Sequence, residues 1–199
     1  MANKPIAAGK SSFDLIDFAT LLSALALPEE VVFLDLACGA GKYAIEIARQ
    51  RKQKGKVYAF DLWDKGIDQL KLKAGSLRLD NIEAHVCDVS GNLPLEEASI
   101  DVVLMATVLH DLIHDGTHDK TLSEILRVLK PGGKLAVIEF KKIAGPPGPP
   151  EKVRLSPDEL VEILQPLGFQ NLDTVELGTA TYVSIFRFGE EALNNSSTP

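Results

Sequence analysis

Apolar and polar positions along the chain fall into short β-rich runs alternating with longer amphipathic stretches. VVFLDL (31–36) is apolar, short and rich in β-branched and aromatic residues, as a strand buried on both faces should be. A glycine turn follows, and then KYAIEIARQRKQ, whose apolar positions recur at helical spacing. The unit repeats in kind as KVYAFDL and KGIDQLKLKAGSLRL, then as IEAHVCDV, a loop through Gly91 and Pro94, and SIDVVLMAT. Beyond these the pattern predicts a helix to Leu129, the turn KPGG, the strand KLAVIEF, a Pro/Gly loop and the helix SPDELVEILQPLG. Strands alternating with helices imply parallel crossovers, and hence a three-layer, doubly wound α/β domain.

Both ends break this alternation. Ser11 or Ser12 can cap a helix in which Phe13, Leu15, Ile16, Phe18, Leu22 and Leu25 recur up to the stop at Pro28. This predicts one amphipathic helix within a 1–30 segment packed on the domain, placed where it could cover a pocket. At the other end FQNLDTVEL and TYVSIFRF are separated by little more than Gly178-Thr179, so they can pair only as an antiparallel hairpin. Tyr182, Ser184, Phe186 and Phe188 then face one way, and Val183, Ile185 and Arg187 the other. The expected sheet is seven-stranded and mostly parallel with an antiparallel last strand, spanning a single domain at 31–189. The polar tail 190–199 is expected to be disordered.

A net charge of −7 with no dense basic stripe argues against a nucleic-acid footprint and favours a small-molecule substrate. Cys38 and Cys87 show no metal-ligand spacing and read as free thiols of a reducing compartment. With neither a signal-like start nor a run long enough to span a membrane, a cytoplasmic protein is expected. Gly9-Lys10-Ser11 resembles the end of a P-loop, but Lys4 stands where that pattern needs glycine.

The stretch FLDLACGAGKYA supports two readings. From Gly39 it is G-x-G-x-x-A, and Asp61 stands twenty residues beyond Gly41, as a nicotinamide-dependent oxidoreductase would require. From Asp35 it is an acid followed by two close glycines, a pattern suited to S-adenosylmethionine. Four ordered stretches favour the second: VVFLDLACGAGKYA, VYAFDLW, HVCDVSGNLPLEEASIDVVLMATVLHDL and LRVLKPGGKLAVIEF. With the terminal hairpin, these resemble the class I S-adenosylmethionine-dependent methyltransferases, in particular the type 11, ubiquinone/menaquinone-biosynthesis-like branch. The resemblance implies a Rossmann-like methyltransferase fold, with S-adenosylmethionine as cofactor and S-adenosylhomocysteine as product. One departure is Ala37, where the family often has glycine.

On this resemblance Gly39 and Gly41 let backbone amides approach the methionine part, with Ala37 and Tyr43 on the cofactor side. Asp35 serves the ammonium group or orders the loop. Asp61 ends the second strand, where its two oxygens suit the ribose hydroxyls unless it caps a helix, a role for which Asp64 is better placed. Leu62 or Trp63 packs on adenine, or Trp63 covers core residues. Asp88 lies at the adenine amino group or serves as a turn residue, with Cys87 or Val89 offering backbone. Ala106 and Thr107 line the floor.

His110, just after the fourth strand, is either a general base for a hydroxyl, thiol or carbon acid, or a residue shaping the pocket. Asp111 and His114 are possible partners, and His118 completes a trio without the H-E-x-x-H pattern, so no metal is expected. Glu139 and Lys141 point to the substrate side, where they orient an acceptor or are simply solvated. The loop AGPPGPPEKVR is either a lid or a stiff connector. A binding module that keeps the cofactor fold without catalysis is the remaining alternative.

Overall fold

The computed structural model describes residues 9–51 and 54–189, so Lys4 and the expected disordered tail lie outside the described residues. Seven strands form one sheet: β1 (Val32–Leu36), β2 (Lys56–Asp61), β3 (Ile82–Val86), β4 (Ile100–Ala106), β5 (Leu129–Phe140), β6 (Phe169–Glu176) and β7 (Thr181–Phe188). Their order is β3-β2-β1-β4-β5-β7-β6. The pairs among β1 to β5 are parallel, while β7 is inserted antiparallel to both β5 and β6. This is the expected doubly wound architecture. Strand order reverses beside β1, so the carboxyl ends of β1 and β4 open onto the crevice where such sheets bind ligands.

Helices cover both faces: α1 (Phe18–Leu25), α2 (Lys42–Gln50) and α3 (Asp64–Ser76) on one, α4 (Leu109–His114), α5 (His118–Val128) and α6 (Pro157–Leu164) on the other. Each face has its own core. Phe33, Ile47, Ile67 and Leu70 pack with α1 to α3, whereas Leu34, Leu36, Ile125 and Leu160 pack with α4 to α6. The alternation read in TYVSIFRF divides β7 as expected, Val183 and Ile185 to the first core and Tyr182, Phe186 and Phe188 to the second.

Several boundaries differ from the sequence pattern. The N-terminal helix does not start at a serine: Phe13–Leu15 form a short 3-10 turn and the chain extends at Ile16. Asp17 then caps α1 by accepting the N–H groups of Ala19 and Thr20. Ser12 is buried and bonds Tyr43 instead, which takes it out of the capping role. The stretch ending near Leu129 is two helices separated at Asp115–Thr117, and KPGG lies within β5, where the register against β4 shifts between Ile100 and Val102. Asp64 is the first residue of α3 and not its cap, which is Trp63.

Candidate active site

The first turn of the site is built at the end of β1. Gly39 and Gly41 adopt φ of +58° and +69°, and Ala37 adopts +59° in spite of its Cβ. A Cβ on Gly41 would strike the Leu70 side chain at 2.5 Å, whereas Gly39 faces open space. Asp35 is 1% exposed, and its Oδ2 accepts the Ala44 N–H at 3.0 Å, so it ties the strand to the first turn of α2. Burial pushes its pKa up to about 7, against the pull of the Ala44 bond and with a contribution from the charge of Asp61.

Asp61 binds two loops together. Its Oδ2 accepts the Gly39 N–H and its Oδ1 the Trp63 N–H, each at 2.7 Å. A carboxylate oxygen can take a second donor, so each keeps capacity for a ligand hydroxyl. Beside it Leu62 is 54% exposed, and Trp63 is half-buried between Gly9 and Gly66. Gly66 is a site residue that the pattern did not disclose, because a Cβ there would lie 2.3 Å from the Trp63 ring and 2.6 Å from the Gly39 oxygen. Only glycine lets the start of α3 press this close to the glycine turn.

Beyond β3, Asp88 is exposed and its Oδ1 accepts both the N–H and the hydroxyl of Ser90, so it shapes a turn while Oδ2 stays available. Cys87 is half-buried and Val89 buried. Burial pushes the Cys87 thiol pKa up, with Asp88 and Glu124 adding to the shift, so it is no reactive thiolate. At the end of β4, Thr107 sits at φ +55° next to the half-buried Ala106 and donates to the Ala106 carbonyl at 2.8 Å. Its hydroxyl also reaches Ser12 Oγ at 3.3 Å, and Ser12 meets the Tyr43 hydroxyl at 2.9 Å. With the Asp14–Lys42 ion pair, these bonds draw the N-terminal segment across the glycine turn.

A buried carboxylate–imidazole pair joins β5 to α4. Glu139 is 0% exposed, which overturns the solvated reading, and its two oxygens accept from one residue. His110 donates its backbone N–H to Oε1 at 3.2 Å, and its Nδ1 lies 2.7 Å from Oε2. His110 itself is 5% exposed. Nδ1 must carry a proton to bond a carboxylate, which leaves Nε2 as the free basic nitrogen of the neutral ring. Nε2 lies 3.6 Å from an Asp111 oxygen. Burial disfavours the imidazolium, but the bond and charge of Glu139, with Asp111, outweigh it and raise the pKa above the ordinary value; Arg154 opposes them.

Among the described residues no hydrogen bond or ion pair joins the side chains of the other expected acceptor-side residues, His114 and Lys141, to this pair. His114 ends α4 exposed, and Lys141 pairs with Glu176 at 3.1 Å. His118 is the first residue of α5. Among the described residues no group of three or more His, Cys, Asp or Glu side chains is placed to hold a metal ion.

A methyltransferase-domain family model matches residues 27–179. A crystallised S-adenosylmethionine-dependent methyltransferase from Aquifex aeolicus superposes with a TM-score of 0.80 at 30% identity, over 90% of this chain and 93% of that one. The chain belongs to the S-adenosylmethionine-dependent methyltransferases. The fold of this methyltransferase is shared with the N-methyltransferase NodS from Bradyrhizobium japonicum, crystallised with S-adenosylhomocysteine, at a TM-score of 0.68 and 16% identity over 87% and 85% of the two chains. Among curated relatives, ubiquinone/menaquinone biosynthesis C-methyltransferases are 36% identical over 120 residues in Bordetella parapertussis and 37% over 119 residues in Ralstonia pickettii. Those alignments take in 58% and 57% of the methyltransferase, but only 43% and 44% of the relatives.

The geometry of the methyltransferase fits the cofactor of its family. The open face of Gly39, the spare acceptor capacity of Asp61 and the exposed Leu62 lie together on the turns after β1 and β2. Asp35 ties the end of β1 to the first turn of α2 through the Ala44 N–H.

Proposed function

We propose that the chain transfers the methyl group of S-adenosylmethionine to a small molecule bearing an acidic O–H or C–H, with His110 as base and Glu139 as its orienting partner. The observation that carries this reading is the buried Glu139–His110 pair at the carboxyl ends of β5 and β4. When bound, the cofactor supplies an activated methyl group that needs alignment more than covalent help. Gly39 and Gly41 would offer backbone N–H groups to its methionine part, Asp61 would accept from the ribose, Leu62 and Trp63 would flank the adenine, and Asp88 would face its amino group. Glu139 holds the imidazole with Nδ1 protonated, so that Nε2 takes a proton from the acceptor. The name C-methyltransferase carried by the curated relatives supports a carbon acid or its phenol as one such acceptor.

No helix among the described residues is long and apolar enough to cross a membrane. A cytoplasmic enzyme without a nucleic-acid partner agrees with that and with the net charge of −7. The test is production of S-adenosylhomocysteine across a panel of phenols, hydroquinones and 1,3-dicarbonyls. Turnover with any of these removes the non-catalytic alternative. His110→Ala should then lower turnover about 10²–10⁴-fold while cofactor binding persists. Undiminished turnover in that variant overturns the assignment of the base.

A further inference from the structure

The Pro/Gly loop is organised by one buried cation. Arg154 follows the short 3-10 turn Glu151–Val153 and is 2% exposed. Its Nε–H donates to the Pro149 carbonyl at 2.9 Å. Nη1 donates to the carbonyls of Lys141 at 3.0 Å and Ile143 at 2.8 Å. Nη2 donates to those of Gly145 at 2.6 Å and Pro147 at 3.0 Å. All five guanidinium donors are therefore spent on carbonyls of alternate residues in one loop, and none of the partners is a carboxylate. Burying a charge is costly, and here the carbonyl dipoles of residues 141–149 compensate it. The compensation lasts only while the loop keeps this one conformation.

The collected loop rests on the site. Gly148, at φ +99°, lies so close to Phe140 that a Cβ would be 2.7 Å from its ring. The Arg154 guanidinium sits 5.7 Å from the same ring centroid. Phe140 in turn meets the His110 imidazole edge to face, at 6.4 Å and 68°. Three layers thus follow one another: loop and guanidinium, Phe140, and His110 on Glu139.

We propose that Arg154 is a positioning residue, which gathers residues 141–149 into a fixed wall and through Phe140 holds the His110 imidazole with Nδ1 on Glu139 and Nε2 toward the acceptor. The loop is then a prebuilt side of the site and not a lid. This rests on His110 being the base, but its consequences for the ring are measurable without turnover. The charged groups facing the imidazole are Glu139 from β5, Asp111 on α4 and Arg154 from beyond the loop.

The test compares Arg154→Lys, Arg154→Met and Phe140→Leu in the full chain, with calorimetric binding of S-adenosylhomocysteine as the check that the cofactor half is intact. An ammonium has three donors, so Arg154→Lys frees at least two carbonyls, and limited proteolysis within 141–149 should run about tenfold faster. The low-field Nδ1–H resonance of His110 should broaden or vanish in the same variant. Arg154→Met should show that loss together with an imidazole titration midpoint higher than in Arg154→Lys, because the opposing positive charge is gone. Phe140→Leu leaves Arg154 and its carbonyls in place and should reproduce the loss of the resonance without faster proteolysis. A wild-type His110 resonance and midpoint in Arg154→Lys, or a wild-type resonance in Phe140→Leu, would reduce Arg154 to a loop staple and overturn the proposal. Unchanged turnover in His110→Ala bears on the base assignment alone, so the two failures can be told apart.

Discussion

Replacing Glu139 by glutamine keeps the shape of the side chain and removes one charge and one acceptor. Both oxygens of Glu139 are engaged with His110, by its backbone N–H and by Nδ1, and water reaches neither. Glutamine offers one carbonyl oxygen for the backbone N–H, and its amide NH₂ then faces Nδ1, which can accept it only in the other neutral tautomer, with the ring proton moved to Nε2. Where the ring is protonated Nδ1 must donate, and the loss is one charge-assisted hydrogen bond in a buried site, about 1.5–3 kcal/mol; with the neutral ring a weaker neutral bond takes its place. The pH dependence follows from the sign of the shift. In the wild type burial opposes the imidazolium, but Glu139 overcomes it and the pKa of His110 is raised. A raised folded-state pKa contributes stability that is complete below the unfolded pKa and is lost as pH rises through the folded one. Without the charge of Glu139, burial dominates, the folded pKa falls below the unfolded one, and stability is lost as pH falls. Glu139→Gln should therefore destabilise more at about pH 5.5 than at about pH 8.5. Urea unfolding of both proteins at the two pH values measures this, and taking differences cancels the slope contributed by Asp35. A destabilisation equal at the two pH values, or below about 0.5 kcal/mol at the lower one, would refute a charged Glu139 supporting His110.

Asp61→Ala leaves the Gly39 and Trp63 N–H groups without their acceptor, so the ligand-free protein should lose about 2 kcal/mol, or about 4–8 °C in Tm, besides losing cofactor binding. An unchanged Tm by scanning calorimetry would contradict the bridging role of Asp61. Asp35→Asn removes an acid whose pKa rises from 3.8 to about 7 on burial, so it should relieve a cost of up to about 4 kcal/mol at pH 8 and nothing near pH 4. Equal effects on Tm at the two pH values would show that Asp35 carries no such charge penalty. Ala37→Gly relaxes a residue at φ +59° and should stabilise by about 0.5–1 kcal/mol after the entropy of glycine is counted, raising Tm by about 1–4 °C. A fall in Tm would show that the strain is compensated by packing of the Ala37 methyl.

The turns proposed to hold the cofactor could be picked out in the sequence because their signals are local. Gly39, Gly41 and Asp61 follow strands that periodicity marks out, and the hairpin strand β7 divides between the two cores as its alternation implies. His110 and Glu139 were singled out separately, but their pairing was not legible, because it depends on register. Glu139 lies one residue beyond Ile138, which pairs with Ala106, so the β4–β5 register brings its carboxylate to a histidine 29 residues away. Carboxylates are usually solvated, and nothing in KLAVIEF marks this one as buried. Arg154 was hidden for a similar reason, since its partners are backbone carbonyls, which carry no sequence signal. At the N-terminus Ser12 had the composition of a cap, but tertiary bonds to Tyr43 and Thr107 claimed it and Asp17 took the role.

The most direct test of the central claim, an S-adenosylmethionine site on the turns after β1 and β2, is calorimetric titration of the protein with S-adenosylhomocysteine and, in parallel, with NAD. The account predicts saturable binding of S-adenosylhomocysteine at one site per chain, lost in Asp61→Ala, and no binding of NAD. Binding of NAD without binding of S-adenosylhomocysteine would contradict it.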